Sequence, residues 1–102
     1  GLIDRDYVER YTLGFDELAA RAQPRTPEWA ETITGIPAAD IRRFAREYAR
    51  ARPAAIRIGV ALERHHGGGQ TIRAVCCLPA LTGAWREVGG GILAMPVWEH
   101  PY

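Results

Sequence analysis

Lysine, serine and asparagine are absent from this sequence of 102 residues, and all 13 of its Lys+Arg positions are arginine. These gaps exclude a serine nucleophile, a Schiff-base lysine, the phosphate-binding lysine of a P-loop and Asn-linked glycosylation. Cysteine is scarce, and the two present, Cys76 and Cys77, are neighbours. An ordinary trans peptide between adjacent cysteines does not supply the geometry of a disulfide. They also lack the C-x-x-C spacing of a zinc half-site or a redox motif. Set in an apolar run, they read as buried free thiols. No apolar stretch approaches the roughly 20 residues that a membrane helix needs. The start, Gly1-Leu2-Ile3-Asp4-Arg5, has neither signal-peptide nor transit-peptide character and reads as a chain entered mid-sequence. A net charge of +1 gives no field to steer a nucleic acid or an anionic membrane.

The composition present, 47% apolar and 25% charged, is that of an ordinary soluble globular protein. The length suits one small domain, or part of a larger one. A chain of this size buries roughly 60–68% of its unfolded surface, enough for one modest core.

The first half reads as helices separated by clear stops. Tyr7, Val8 and Tyr11 give a short amphipathic helix over residues 4–11, which Thr12-Leu13-Gly14 breaks. Phe15, Leu18, Ala19 and Ala22 repeat at helical spacing behind Asp16 and Glu17, whose charges suit the positive end of the helix. Thr26-Pro27-Glu28 starts a third helix with a capping residue, a first-turn proline and an acid, and Gly35 stops it. Pro37 opens a fourth, expected over 37–51, with Ile41, Phe44, Ala45 and Tyr48 on one face. Pro53 ends it, and a strand is expected near 55–60, where Ile56, Ile58 and Val60 alternate. A turn rich in glycine, Glu63 to Gln70, leads into a helix from about 70 to 82 that carries Ile72, Val75 and Cys76. Pro79 should kink that helix or remove one of its backbone hydrogen bonds. From Val88 to Tyr102 glycine and proline suggest an extended loop, so no second convincing strand is visible. A lone strand leaves open edges, which implies that the folding unit is incomplete. The buried set is expected to include Ile41, Phe44, Tyr48, Ile56, Ile58, Ile72 and Val75.

The constellation richest in chemistry is the strand, glycine turn and helix from Ile56 to Gly83. It sets backbone N–H groups and the positive helix end where a phosphate can sit, with Arg64 and Arg73 adding charge. The same glycines equally suit a plain connection, and G-x-G-x-x-G spacing is lacking. His65 and His66, as neighbours in an extended segment, face opposite ways and do not share one metal ion; Glu63 is the only acid close to them. The arginines at 42, 43, 46, 50 and 52 read as a solvated face paired with Asp40 and Glu47, without the aromatic and polar base readers of a nucleic-acid site.

Taken in order, these residues resemble a family. Thr34-Gly35-Ile36-Pro37, Ile41-Arg42-Arg43-Phe44-Ala45 and Arg52-Pro53-Ala54-Ala55-Ile56 are similar to a stretch of the prokaryotic molybdopterin oxidoreductases of the dimethyl sulfoxide reductase family. The likeness continues through Arg64-His65, Gly68-Gly69-Gln70, Arg73-Ala74, Leu78-Pro79-Ala80-Leu81-Thr82-Gly83 and Gly89-Gly90-Gly91, to about Leu93. It departs at Ala61, where the family often has a second glycine, and at Arg86, where a glycine is usual.

The resemblance implies that residues 1–102 form a single segment of a larger α/β molybdopterin-binding domain, mostly helical in this part. The whole enzyme would carry molybdenum or tungsten on bis-molybdopterin guanine dinucleotide, with any iron–sulfur cluster held outside this segment. The implied cofactor-side residues are Gly59, Val60, Arg64 and His65, with Gly68 and Gly69 supporting the turn. The metal's own protein ligand lies elsewhere, since neither cysteine matches its position. Implied partners are the remainder of the same catalytic subunit and electron-transfer subunits, with no nucleic acid and no membrane span in this segment. The isolated segment is expected to be inactive, and either to self-associate, by dimerising or swapping elements, or to behave as a partly ordered monomer. The rival reading is a small helical interaction module without a cofactor.

Overall fold

The computed structural model describes residues 1–94. The tail beyond Ala94, read above as extended loop, lies outside the described residues. The chain divides into two compact units, Gly1–Ala51 and a second beginning at Arg52.

The first unit is all helix: α1 (Arg5–Tyr11), α2 (Phe15–Ala22), α3 (Pro27–Thr34) and α4 (Ala38–Arg50). Their ends follow the local signals. Asp4 caps α1 by accepting the Tyr7 N–H at 2.9 Å. Gly14, at φ +79°, turns the chain into α2. Thr26 accepts the Trp29 N–H at 3.2 Å, Pro27 occupies the first turn, and Gly35 closes α3 at φ +72°. Pro37 has no capping side chain, so Glu31 on α3 accepts the Ala38 N–H at 3.0 Å instead and ties α3 to α4. Thr26→Ala should cost about 1 kcal/mol through the lost cap. A lower urea midpoint with an unchanged slope is the expected reading; an unchanged midpoint would show that the cap contributes nothing.

Burial in this unit corrects one expectation. Ile41 and Tyr48 are half-buried, but Phe44, on the same stripe, is 66% exposed. An apolar stripe is buried only where another element lies over it, and among the described residues nothing covers Phe44. The buried positions here are the small Ala38 and Val8 on α1.

The second unit begins with strand β1 (Ala55–Arg57), shorter than the expected strand. A 3-10 turn (Leu62–Arg64), helix α5 (Gly68–Thr82), a second 3-10 turn (Ala84–Arg86) and strand β2 (Gly91–Leu93) follow. The strands pair in parallel, Ala55 with Gly91, Ile56 with Ile92 and Arg57 with Leu93. The ladder is continued by the Ile58 N–H to Leu93 O at 2.9 Å and the Gly91 N–H to Ala54 O at 3.0 Å. Parallel neighbours need a crossover, and α5 supplies it.

Strand β2 was not expected. The glycines that suggested a loop serve close approach instead. A Cβ on Gly90 would collide with the Ala84 carbonyl, and one on Gly91, at φ +105°, would lie 2.5 Å from the Trp85 ring. Three residues are also too few to display an alternating pattern. Helix α5 begins slightly earlier than expected and runs on through Pro79, which is fully buried inside it. Proline has no N–H, so the Val75 carbonyl four residues back loses its helical donor. Arg52 fastens the far end of α5: it donates to Thr82 O at 3.0 Å and pairs with Glu87 at 3.1 Å. Ile58 is buried, as expected, whereas Ile56, Ile72 and Val75 are half-buried. The described residues are thus mostly helical with one small parallel sheet, as an α/β segment requires.

Candidate functional site

A cavity of about 250 Å³ opens at the carboxyl ends of the two strands. Ile58, Gly59 and Val60, just past β1, form one side, and Ile92 and Ala94 at β2 form another. Ile72 and Cys76, one turn apart on α5, supply the wall from the helix, and Glu63 in the 3-10 turn completes the lining. In open α/β sheets this is where ligands bind, because the strand ends and the following helix N-terminus leave space and unpaired backbone there.

The turn beside the cavity has a defined hydrogen-bond pattern. Gly67, at φ +80°, precedes α5. The Gly68 N–H is taken by His65 O at 2.8 Å, and the first helical bond runs from Thr71 N–H to Gly67 O at 3.0 Å. The N–H groups of Gly69 and Gln70 lie between these two and have no helical acceptor. They occupy the positive end of a helix of 15 residues. Arg64 and Arg73 stand close to them in sequence, both exposed, and neither guanidinium is ion-paired among the described residues.

The glycines divide into two kinds. Gly68 is required by packing: a Cβ there would lie 2.5 Å from Leu62 O and 2.8 Å from the Glu63 Cα. Gly59 and Gly69 meet nothing within 4 Å and have no positive φ. The fold itself does not require glycine at these two positions. In a helix, Gly69 even costs about 1 kcal/mol relative to alanine.

Of the six residues singled out in the sequence, Gly59 and Val60 line the cavity. Arg64, His65 and Gly69 are exposed and not part of its lining, and Gly68 is buried beneath the 3-10 turn. The lining residues that sequence reasoning did not assign to a site are Ile58, Ile72, Cys76, Ile92, Ala94 and Glu63, the last considered only as a metal ligand. One signal for Glu63 was available: it is the sole acid between Glu47 and Glu87. Cys76 and Cys77 are free but half-buried rather than buried, because the cavity and the helix surface leave them partly open. The Cys77 thiol donates to Arg73 O at 3.3 Å. Among the described residues no group of three His, Cys, Asp or Glu side chains is placed to hold a metal ion. Among them, too, no helix is long and apolar enough to cross a membrane.

Arg42 and Arg43 of α4 differ from Arg64. Arg43 lies 3.2 Å from Asp40 and 3.7 Å from Glu47. Arg42 is paired to Glu28, and its hydrogen bond holds that carboxyl below the usual carboxylate range. These charges are already answered within their own unit.

No family model matches the chain, but curated relatives do. It is 40% identical over 92 residues to the probable oxidoreductase YoaE of Bacillus subtilis (strain 168), covering 90% of this chain and 14% of that protein. It is 38% identical over 130 aligned residues to the probable dimethyl sulfoxide reductase chain YnfF of Escherichia coli (strain K12), covering 98% and 16%. It is 40% identical over 91 residues to formate dehydrogenase H of the same organism, covering 89% and 13%. The chain therefore spans between 13% and 16% of the length of these relatives.

Proposed function

Since the chain belongs to the dimethyl sulfoxide reductase family of molybdopterin oxidoreductases, as a segment of a much longer protein, we propose that it is a wall of the cofactor site in the catalytic subunit. Its role is to grip the organic part of a molybdopterin guanine dinucleotide. When bound, that cofactor supplies two-electron redox and oxygen-atom transfer chemistry through molybdenum or tungsten. The residues of this segment bind and position; none of them carries the reaction.

The observation that carries the reading is the pair of open glycines. Gly59 ends the approach to the cavity and Gly69 is the second residue of α5, and neither glycine is called for by internal packing or by backbone conformation. A glycine that the fold does not need is explained by a ligand that comes close to its backbone. Gly69 and Gln70 offer N–H donors at the positive helix end, the environment that suits a diphosphate. Arg64, not ion-paired among the described residues, adds positive charge on the adjoining turn. The apolar lining next to it suits a flat ring rather than an anion. A heterocycle joined to phosphate has this division of character, so the residues present fit the group.

Because the two glycines are not structural, substitution should separate stability from binding. Gly69→Ala should raise the stability of the full-length subunit by up to about 1 kcal/mol. It should also lower the pterin and metal content of the purified protein, because the added methyl keeps the ligand off the backbone. Gly59→Ala should likewise lower cofactor content without loss of folded protein. Thermal unfolding and cofactor analysis on the same preparations give both signs. Full cofactor content in both variants would remove the reading.

A further inference from the structure

Glu63 has no role in the packing described above. It lines the cavity, it is exposed, and among the described residues its carboxylate forms no ion pair or side-chain hydrogen bond. Successive residues of a 3-10 turn are rotated by about 120°, so Glu63 and Arg64 present their charges in different directions. The cavity thus receives an acid from the same turn that offers a base outside it. Its other lining is apolar apart from the Cys76 thiol, which is soft and polarisable.

That combination narrows the ligand. An anionic group is repelled by the carboxylate, since among the described residues no cation lines the cavity. A metal ion would need further acids or histidines, and the described lining has none. An ammonium group, with three donors, would find a single charged acceptor among apolar side chains. A planar heterocycle with apolar faces and two adjacent N–H donors on one edge meets every condition. Its faces lie against Ile58, Val60, Ile72 and Ile92, and its edge meets the two carboxylate oxygens.

We infer that Glu63 is a specificity residue of this site, accepting the ring N–H and the neighbouring amino N–H of a 2-amino-4-oxo fused pyrimidine. Pterin and guanine share this edge. The inference rests on the proposal that the segment grips a pterin guanine dinucleotide, and it assigns one end of that molecule to the cavity. Arg64 and the start of α5 then serve the phosphates.

The test uses the full-length subunit purified from a host that makes no molybdopterin, titrated by calorimetry with two pairs of probes. Guanosine monophosphate and inosine monophosphate differ only in the 2-amino group, and 6-hydroxymethylpterin and 6-hydroxymethyl-lumazine differ at the same position, where lumazine carries a carbonyl oxygen in place of the amino group. Loss of a hydrogen bond to a charged acceptor should weaken binding roughly tenfold or more. The pair that shows this loss identifies which ring enters the cavity. Glu63→Gln keeps the size of the side chain but opposes ring N–H with amide N–H, and it should abolish the discrimination. If that variant does not fold, the two wild-type comparisons decide alone. Equal binding within both pairs, no binding of any probe, or discrimination that survives in Glu63→Gln would each overturn the inference. Should Gly69→Ala lower cofactor content while both pairs bind alike, this inference alone fails. Should Gly69→Ala and Gly59→Ala leave cofactor content intact, the underlying proposal fails.

Discussion

Arg64→Ala is expected to lower the metal and pterin content of the full-length subunit, and Arg43→Ala to leave it unchanged. Both side chains are exposed arginines, so bulk charge does not distinguish them. Their surroundings do. Arg43 sits between Asp40 and Glu47 on α4, where its charge is answered by pairs of the usual exposed helical kind. Among the described residues Arg64 has no such partner, and it follows the cavity-lining Glu63 in the turn before α5. A charge-assisted hydrogen bond from a guanidinium to a phosphate or a ring carbonyl is worth about 1.5–3 kcal/mol. Its loss corresponds to a drop in affinity of about 10- to 150-fold. Arg64→Lys should recover only part of this, because the charge remains and the planar fork is lost. Equal metal and pterin content in wild type, Arg64→Ala and Arg43→Ala would mean that the turn does not hold the cofactor through this side chain.

The second large effect is expected at Gly68. A methyl group there meets Leu62 O at 2.5 Å, with the Cα and carbonyl carbon of Glu63 at 2.8 and 2.9 Å. All three are backbone atoms, so no side chain can swing aside and the 3-10 turn itself must move. Overpacking of this kind costs about 1–3 kcal/mol. Gly68→Ala should therefore destabilise the subunit. It should also displace Glu63 and Arg64, and so lower cofactor content in whatever protein remains folded. The contrast with Gly69→Ala, one residue on and opposite in sign for stability, is the informative part. Calorimetric unfolding of the two variants side by side checks it. A Gly68→Ala subunit as stable as wild type would show that the turn does not pack against α5 as described.

How much of this was legible in the sequence depended on how local the cause was. The start of α3 at Thr26-Pro27 and its stop at Gly35 are local, and they read correctly. So did α4, whose apolar repeat is long enough to show its period. Phe44 was misplaced because its burial depends on what lies across from it, and among the described residues nothing covers it. Strand β2 was missed because its glycines are needed where the chain passes Ala84 and Trp85, contacts that no local pattern announces. The site was legible in part for the same reason. Gly59 and Val60 follow β1 directly, so finding the strand placed them. The resemblance pointed to Arg64 and His65, whereas the cavity takes Glu63, because residue direction within a 3-10 turn is not visible in sequence. Ile72 and Cys76 come from a helix that returns alongside the strand ends, which only the crossover reveals. The turn glycines looked alike in the sequence; the space around each separates Gly68, which packs, from Gly69, which does not.

Amide hydrogen exchange on the full-length subunit, with and without its cofactor, tests most directly whether this turn holds the dinucleotide. The N–H groups of Gly69 and Gln70 have no helical acceptor, so in the empty protein they should exchange fast. Loading the cofactor should slow both strongly, while amides in the middle of α4 keep the same rates in the two states. Fast exchange at Gly69 and Gln70 in the loaded subunit, indistinguishable from the empty one, would contradict the proposal that this segment grips the cofactor.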